Sequence, residues 1–249
     1  MEPTIINKQP LFLSCPGEMA GYVRRKDWTE TSLGSPETWP TSLQTILGVI
    51  LHSKFPMFIF WGPELLCFYN DAYRPSLGKE GKHPHILGMP GAQAWPEIWH
   101  IIHPLIKQVL SGGEATWNED QLIPMYRNGK IDDVYWTFSY SRINNDNNEP
   151  YGVFVTCVET TSDVINKRQL QESKNMLAFA TDAADLGTWD YNPRTGKFAS
   201  NHRLKHWMGL EETEETDLSV ALEIVAAFDR QRVIDSMEAT LDYSRQAPF

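Results

Sequence analysis

The sequence predicts an α+β fold: a five-stranded antiparallel sheet with helices on one face, followed by a second, partial unit of the same kind. Two short strands come first, a helical middle follows, and three antiparallel strands close the unit. After a polar, helix-prone segment the strand–turn–strand pattern returns. We therefore expect an N-terminal arm at 1–30, a first domain at 31–161, a helical linker at 162–186 and a truncated second domain at 187–249.

Composition and charge narrow the functional class. The chain has 249 residues, of which 41% are hydrophobic and 22% charged, as in ordinary globular domains. Its 22 Lys and Arg against 32 Asp and Glu give a net charge of −10, so we expect no nucleic-acid partner. Three widely separated cysteines without zinc spacing favour a reducing, cytoplasmic location. No apolar run approaches the ~20 residues of a membrane helix, so no membrane segment is expected.

The amino-terminal part predicts an arm, a helix and a hairpin. Residues 1–30 show little periodicity, which predicts a loosely ordered arm. The Ser-Pro-Glu at 35–37 is typical of a helix start, and apolar residues then recur at helical spacing. Two short apolar strands at Met57–Trp61 and 65–69 flank a Gly-Pro turn, which predicts a hairpin.

A helix and three further strands are predicted to complete the first domain. Apolar residues from 96 to 110 follow helical spacing, and Pro104 is expected to kink this helix or to shift its start. Asn128-Gly129 is typical of a hairpin turn. The strands are predicted at 116–125, 134–143 and 151–158.

A repeated spacing indicates the second unit. Asn70 ends a strand and is followed eight residues later by a Gly, and Asn201 repeats this spacing. The recurrence favours a structural cap for Asn70 over ligand contact. Leu170, Leu177 and Ala184 are spaced by seven in the polar segment between the units, which predicts a two-helix linker. One helix is predicted from 218 to 241, and the chain reaches residue 249 before any counterpart of the three closing strands.

Short motifs within residues 27–165 carry a resemblance to a known family. They are Asp27-Trp28, Trp39-Pro40, Trp61-Gly-Pro63, Tyr69-Asn-Asp-Ala-Tyr73, Lys82-His-Pro84, Gly113-Glu-Ala-Thr-Trp117 and Thr137-Phe-Ser-Tyr140. Together with the order of the elements, they resemble the amino-terminal PAS region of bacterial sensor and hybrid histidine kinases. Residues 172–249 resemble the first half of a second PAS domain.

The resemblance implies a sensory input module of a two-component signal-transduction histidine kinase. Ligand sensing, dimerisation or both would be relayed through the helical linker to a kinase core absent from this chain. The implied partners are that kinase core, a second copy in a homodimer and a small-molecule ligand. The alternatives are a ligand-free PAS dimerisation scaffold, or input to a diguanylate cyclase or a chemoreceptor. No phosphoacceptor His motif or ATP-binding loop is present, so no catalytic residue is assigned.

Two sets of residues are candidates for function. Glu159-Thr160-Thr161 resembles the Asp-x-Thr junction that couples PAS cores to output helices, with Glu in place of Asp, which implies a signal-relay role. Aromatic residues flank the expected central cavity, where they form either an apolar ligand pocket or simple core and dimer packing. The pocket candidates are Trp61, Tyr69, Asn70, Trp95, Trp99, Trp117, Trp136, Phe138 and Ser139.

No cofactor can be named from the sequence. Light-sensing flavin domains carry an Asn-Cys-Arg-Phe-Leu-Gln motif, whereas Cys67 is followed by Phe-Tyr-Asn and reads as a buried strand cysteine. Glu97, His100 and His103 have tolerable metal spacing, but Pro104 disturbs the geometry and no fourth ligand is evident. We therefore expect neither haem nor a metal site.

Overall fold

The structure is a computed structural model that describes residues 10–192, 194–211 and 217–241. It divides into two compact units, Met1–Asn166 and Lys167–Phe249. The helices of the first unit are α1 (Glu18–Arg25), α2 (Thr41–His52), α3 (Gly91–Ala94) and α4 (Trp99–Leu110). Its strands are β1 (Met57–Trp61), β2 (Leu66–Tyr69), β3 (Asn118–Arg127), β4 (Lys130–Asn144) and β5 (Pro150–Glu159). Helix α5 (Thr161–Ala183) follows, and then β6 (Trp189–Asn192), β7 (Lys197–Ser200), α6 (His202–Trp207), α7 (Leu218–Ile224) and α8 (Arg230–Leu241).

The first unit contains one antiparallel sheet in the order β2-β1-β5-β4-β3. Strands β1 and β5 are neighbours despite their separation in sequence, with Phe60 opposite Val153. The crossover from β2 to β3 contains α3 and α4, and α4 packs against β4 and β5. The predicted α+β class and five-stranded antiparallel sheet are confirmed.

The turn between β3 and β4 has the geometry that its sequence favours. Asn128 and Gly129 have positive φ angles of 52° and 80°. A tight hairpin needs φ above zero at both central residues, and Asn and Gly tolerate this at the lowest cost. The hairpin prediction at this position is confirmed, and its strands extend further than expected on both sides.

The repeated asparagines are structural clamps. The Asn70 amide donates to the carbonyls of Ile50 and Phe55, at 3.0 and 2.8 Å, and its oxygen accepts from the Met57 and Tyr73 amides. It thereby joins the end of α2, the start of β1 and the turn after β2. These hydrogen bonds give Asn70 the structural role that the recurrence favours, and Asn70 does not line the apolar cavity described below.

The second unit uses Asn201 in the same way. The Asn201 oxygen accepts from the amides of Thr188 and Leu204, at 3.0 and 3.1 Å, and its amide donates to the Leu186 carbonyl. Strands β6 and β7 form a two-stranded sheet before α6. The common hydrogen-bond pattern explains why the spacing repeats in the sequence.

The N-terminal segment is not a loose arm over its described part. From residue 10 onwards it forms a short 3-10 turn and α1, and Met19 and Trp28 are buried in the core. Trp28 stacks on Phe68 of β2 at a centroid distance of 5.4 Å, and Trp39 contacts the same ring edge-on at 5.7 Å. Helix α1 has only eight residues and was not predicted from the sequence, although it buries Met19 and Val23 on one face. Residues 1–9 of the predicted arm lie outside the described residues.

Three helices of the structure have bounds that differ from the predicted ones. Residues 36–38 form only a 3-10 turn, and α2 begins at Thr41, after Pro40. Helix α4 begins at Trp99, so the start is later than predicted, and Pro104 lies within it. The single helix predicted at 218–241 is divided into α7 and α8. The Arg230 guanidinium donates to the Val225 carbonyl at 3.3 Å, which satisfies a carbonyl left free where α7 ends.

Helix α5 exposes apolar residues. Val164 is its one buried side chain, while Leu170, Leu177 and Phe179 are between 58% and 76% exposed. The helix predicted at 162–186 is therefore present at Thr161–Ala183. No helix within the described ranges is long and apolar enough to cross a membrane.

Candidate functional site

The first unit contains an apolar cavity of about 50 Å³ between the sheet and α4. Strands β1, β3, β4 and β5 contribute one wall, and the α4 region contributes the other. Its thirteen lining residues include no charged side chain. A single water needs roughly 10–15 Å³, so the cavity is large enough for a small molecule.

Three of the predicted pocket residues line this cavity: Trp95, Trp136 and Phe138. Trp136 and Phe138 lie on β4 at alternate positions and are 4% and 3% exposed. Trp95 lies directly after α3 and is 2% exposed. The structure thus brings together residues from two segments that the sequence separates by about forty positions.

Ser139 and Trp117 do not belong to the cavity. Ser139 follows Phe138 on β4, and successive strand residues point to opposite faces, so its side chain lies on the far face, opposite Thr156. Trp117 precedes β3 and is 69% exposed. Phe138 and Ser139 cannot both face one cavity, and Phe138 is the one that lines it.

Trp61, Trp99 and Tyr69 are also absent from the cavity wall. Trp61 is buried and packs edge-on against Tyr151, with ring centroids 5.4 Å apart. Trp99 stacks on His103 at 5.0 Å. Tyr69 is fully buried, and its hydroxyl binds His83. Trp61 and Tyr69 lie in the hydrophobic core and Trp99 packs against it, so none of the three lines this cavity.

The sequence analysis missed several residues of the cavity wall. Phe58 and Phe60 lie at alternate positions of β1, with ring centroids 4.7 Å apart, and Tyr140 continues the buried face of β4. The alternation along each strand was the available signal. Tyr73 contributes a hydroxyl group and Cys157 a thiol to the cavity wall. Burial raises the pKa of both groups, so both stay protonated.

A partly buried tyrosine–histidine pair lies at the edge of the sheet. The Tyr69 hydroxyl and His83 Nδ1 are 2.8 Å apart, and the Tyr22 ring meets the imidazole edge-on at 5.0 Å. Burial lowers the pKa of His83, and nearby Arg74 lowers it further. Nε2 of His83 is buried without a hydrogen-bonding partner. The pair therefore favours a neutral imidazole.

A second polar contact ties the segment before α4 to β3. The Lys82 ammonium lies 3.1 Å from Glu97 in a pair whose side chains are only 11% and 14% exposed, and it lies over the Trp95 ring at 4.9 Å. Glu97 Oε1, one of the two oxygens that lie 3.1 Å from this ammonium, also accepts from the Tyr126 amide. Glu97 thus forms an ion pair with Lys82. Among the described residues, no three or more side chains of His, Cys, Asp or Glu are grouped so that they could bind a metal ion.

The junction of β5 and α5 is organised around Arg127. Its guanidinium forms a two-point pair with Glu159, at 2.9 and 3.1 Å, and also binds Asp132 at 3.1 Å. The hydrogen bond with Glu159 is the main cause that raises the pKa of Arg127. The Thr161 hydroxyl donates to Glu159 and accepts from the Tyr135 amide, at 3.2 and 3.0 Å.

Thr160 completes the junction through its backbone. Its amide donates to the Tyr135 carbonyl at 2.8 Å, while its hydroxyl is buried without a partner. Glu159 therefore anchors the first turn of α5 to β3 and β4, at the position where the family pattern has Asp. The longer side chain reaches Arg127, which is a contact that the sequence could not identify.

Neither the family models nor the curated protein sequences compared with this chain give a match. Among solved structures, an RNA-binding light-oxygen-voltage receptor is 15% identical with a TM-score of 0.39, and the match covers 59% of this chain and 41% of that receptor. The PAS domain of Bordetella pertussis BvgS is 16% identical with a TM-score of 0.39, covering 54% of this chain and 97% of that domain. A sensory box sensor histidine kinase from Vibrio cholerae is 14% identical with a TM-score of 0.34, covering 47% and 88%. At these identities the likeness concerns the fold.

Proposed function

We propose that this chain is a sensory input module of a two-component histidine kinase. The first unit holds a small ligand in its apolar cavity, and the junction at Glu159 relays the state of the cavity through α5 to a kinase core outside this chain. The proposal includes a cytoplasmic location, which rests on the sequence alone.

One observation carries the relay. Trp136 lines the cavity, and it is the direct register partner of Glu159 in the pairing of β4 with β5. Its neighbour Tyr135 holds both Thr160 and Thr161 through backbone groups. A ligand that moves Trp136 therefore acts on the anchor of α5 without any intermediate element. The ligand must prefer one of two arrangements of this junction, since equal affinity for both would shift nothing.

The proposed output geometry is a parallel pair of α5 helices in a homodimer. Leu170 and Leu177 are seven residues apart on the exposed surface of α5, which is the spacing of a two-helix seam. Phe179 is exposed as well but lies two positions beyond Leu177, off that seam.

Sedimentation equilibrium of three proteins tests this arrangement. The wild-type chain is expected to dimerise, Leu170→Glu combined with Leu177→Glu to be monomeric, and Phe179→Glu to dimerise as the wild type does. Circular dichroism of each variant checks that the fold is kept. A double variant that dimerises as tightly as the wild type would remove α5 from the proposed relay.

A ligand-free dimerisation scaffold is the second candidate. The small cavity volume and the close ring packing around it, such as Phe58 against Trp95 at 5.8 Å, favour this alternative. Native mass spectrometry of the freshly purified chain separates the two: a bound small molecule excludes the scaffold. Input to a diguanylate cyclase or a chemoreceptor would use the same geometry, and the sequence that adjoins this chain in its parent protein distinguishes these outputs.

A further inference from the structure

We propose that His83 is a proton-sensing site: protonation of its imidazole breaks the contact with Tyr69 and frees the side chain from its slot beside Tyr22. The ligand here is a proton, and none of these three residues lines the apolar cavity. The inference therefore goes beyond the proposed function and does not depend on it. It follows from the partners of the two ring nitrogens, from the charges nearby and from the partial exposure of the ring.

The hydrogen bonds of the pair suit a neutral imidazole in either tautomer. Where the hydrogen of the ring is on Nε2, the Tyr69 hydroxyl donates to Nδ1, 2.8 Å away, and protonation of Nδ1 deprives this fully buried hydroxyl of its acceptor. Where the hydrogen is on Nδ1, protonation adds one to Nε2, which is buried without a hydrogen-bonding partner. Since a buried charge that lacks a partner is costly, the imidazolium does not fit this slot.

The charges around the ring do not compensate an added positive charge. The charged and titratable neighbours are Tyr22 and Glu18 of α1, Tyr69 of β2, Asp71 and Arg74 after β2, and His85. Burial is the main cause that lowers the pKa of His83, and the positive charge of Arg74 is the next. Glu18 and Asp71 act in the opposite direction, but Glu18 pairs with Arg74, and Asp71 accepts from the Met19 amide at 2.8 Å. Neither carboxylate is therefore left free to pair with an imidazolium.

The ring reaches water by a short movement of the side chain. His83 lies between β2 and α3 and is only partly buried. The backbone on both sides of it is held in place, because Lys82 pairs with Glu97, and the Gly88 amide donates to the Cys67 carbonyl at 2.8 Å. Protonation is therefore expected to rotate the imidazole into water while the fold around it is kept.

An NMR titration of the full chain tests the proposal, from about pH 7.5 to about pH 4.5, which covers the ordinary range of histidine and the lowered one expected here. Labelled histidine reports the protonation of His83 through its ring signals, which His83→Asn assigns. Labelled tyrosine reports the contacts with Tyr22 and Tyr69 through nuclear Overhauser effects between ring protons.

At the upper end of the titration His83 is expected to be neutral and to show both contacts. As its signals change to those of the imidazolium, below the usual midpoint near 6.5, both contacts should disappear while the other signals of the first unit stay dispersed. Contacts that persist in the imidazolium would overturn the proposal. So would a ring that stays neutral throughout, or unfolding of the whole first unit as His83 takes up its proton.

Arg74→Gln tests the electrostatic part of the argument. It removes the repelling charge and frees Glu18, so the midpoint of His83 should rise by about 0.3 to 1 pH unit. Arg142→Gln, at an exposed position of β4, makes the same change in net charge and should leave the midpoint where it is in the wild type. Equal midpoints for the two variants would overturn the proposal as well. The titration of the wild type needs neither variant, so it decides the matter even if Arg74→Gln folds poorly.

Discussion

Asn70 shows how one side chain determines the geometry of several segments. Its amide and carbonyl groups bind the end of α2, the start of β1 and the turn after β2, and the residue is fully buried. The sequence predicted a structural role from the recurrence at Asn201. It could not predict the partners at Ile50 and Phe55, because these are backbone carbonyls about twenty residues away and carry no side-chain signal.

Asn70→Ala is expected to destabilise the first unit by more than about 3 kcal/mol, because several buried backbone groups lose their partner at once. Urea unfolding followed by tryptophan fluorescence measures the change. Asn147→Ala, at an exposed loop position, is the matched control and should lie close to the wild type. Equal midpoints for the two variants would contradict the clamp.

His83 makes stability depend on pH. The pKa of His83 is lowered in the folded state, mainly by burial. At pH values below the usual pKa near 6.5, the unfolded chain therefore binds a proton at this residue more readily than the folded chain does. The stabilising contribution is complete above that value and is lost as pH falls through the folded pKa. The charged and titratable groups around it are Tyr69, Tyr22, Arg74, Glu18, Asp71 and His85.

The melting temperature is therefore expected to fall between pH 7.5 and 5.5, roughly the window in which histidine titrates. His83→Asn should make this fall smaller, whereas His100→Asn, at an exposed position of α4, should not change it. Calorimetric scans at both pH values supply the comparison. If His83→Asn keeps the full pH dependence of the wild type, another group is responsible.

At the scale of single elements, the strands were predictable and the N-terminal segment was not. Strand β4 has a clear period-two pattern that places Trp136 and Phe138 on one face, and both residues line the cavity. The same pattern excluded Ser139, which the prediction overlooked. Helix α1 has eight residues, too few for a stable isolated helix, so its order depends on packing against the core.

Trp28→Ala tests whether the N-terminal segment belongs to the core. The ring is 2% exposed, stacks on Phe68 and donates to the Val23 carbonyl at 2.8 Å. Truncation of a buried tryptophan costs about 3–5 kcal/mol, which chemical unfolding would detect. Trp117→Ala, at a 69% exposed ring, should cost little. If the N-terminal segment were a loose arm, Trp28→Ala and Trp117→Ala would have the same small effect on the free energy of unfolding.

At the scale of the whole molecule, the two units differ in their cores. The first unit buries a large aromatic and aliphatic cluster, whereas Phe198 is the one buried hydrophobic side chain among the described residues of the second. Trp189 and Trp207 in the second unit are each about half exposed. The expectation that the second unit is a truncated PAS domain stays a prediction.

Hydrogen exchange with mass spectrometry should show lower protection after residue 187 than in the strands before residue 160. Backbone hydrogen bonds over a small core open with little cost, while those of β1, β4 and β5 open only with the whole sheet. Equal protection of both regions would mean that another chain or segment stabilises the second unit.

The most direct test of the central claim is the exchange rate of the first turns of α5 with and without a ligand in the cavity. With a saturating amount of the small molecule that native mass spectrometry identifies, the account predicts changed protection at 161–170 in the wild type. In Glu159→Gln this molecule should bind equally well and leave these amides unchanged, because the charged anchor to Arg127 is lost. Unchanged exchange of α5 in the wild type, although native mass spectrometry shows the molecule bound, would contradict the relay.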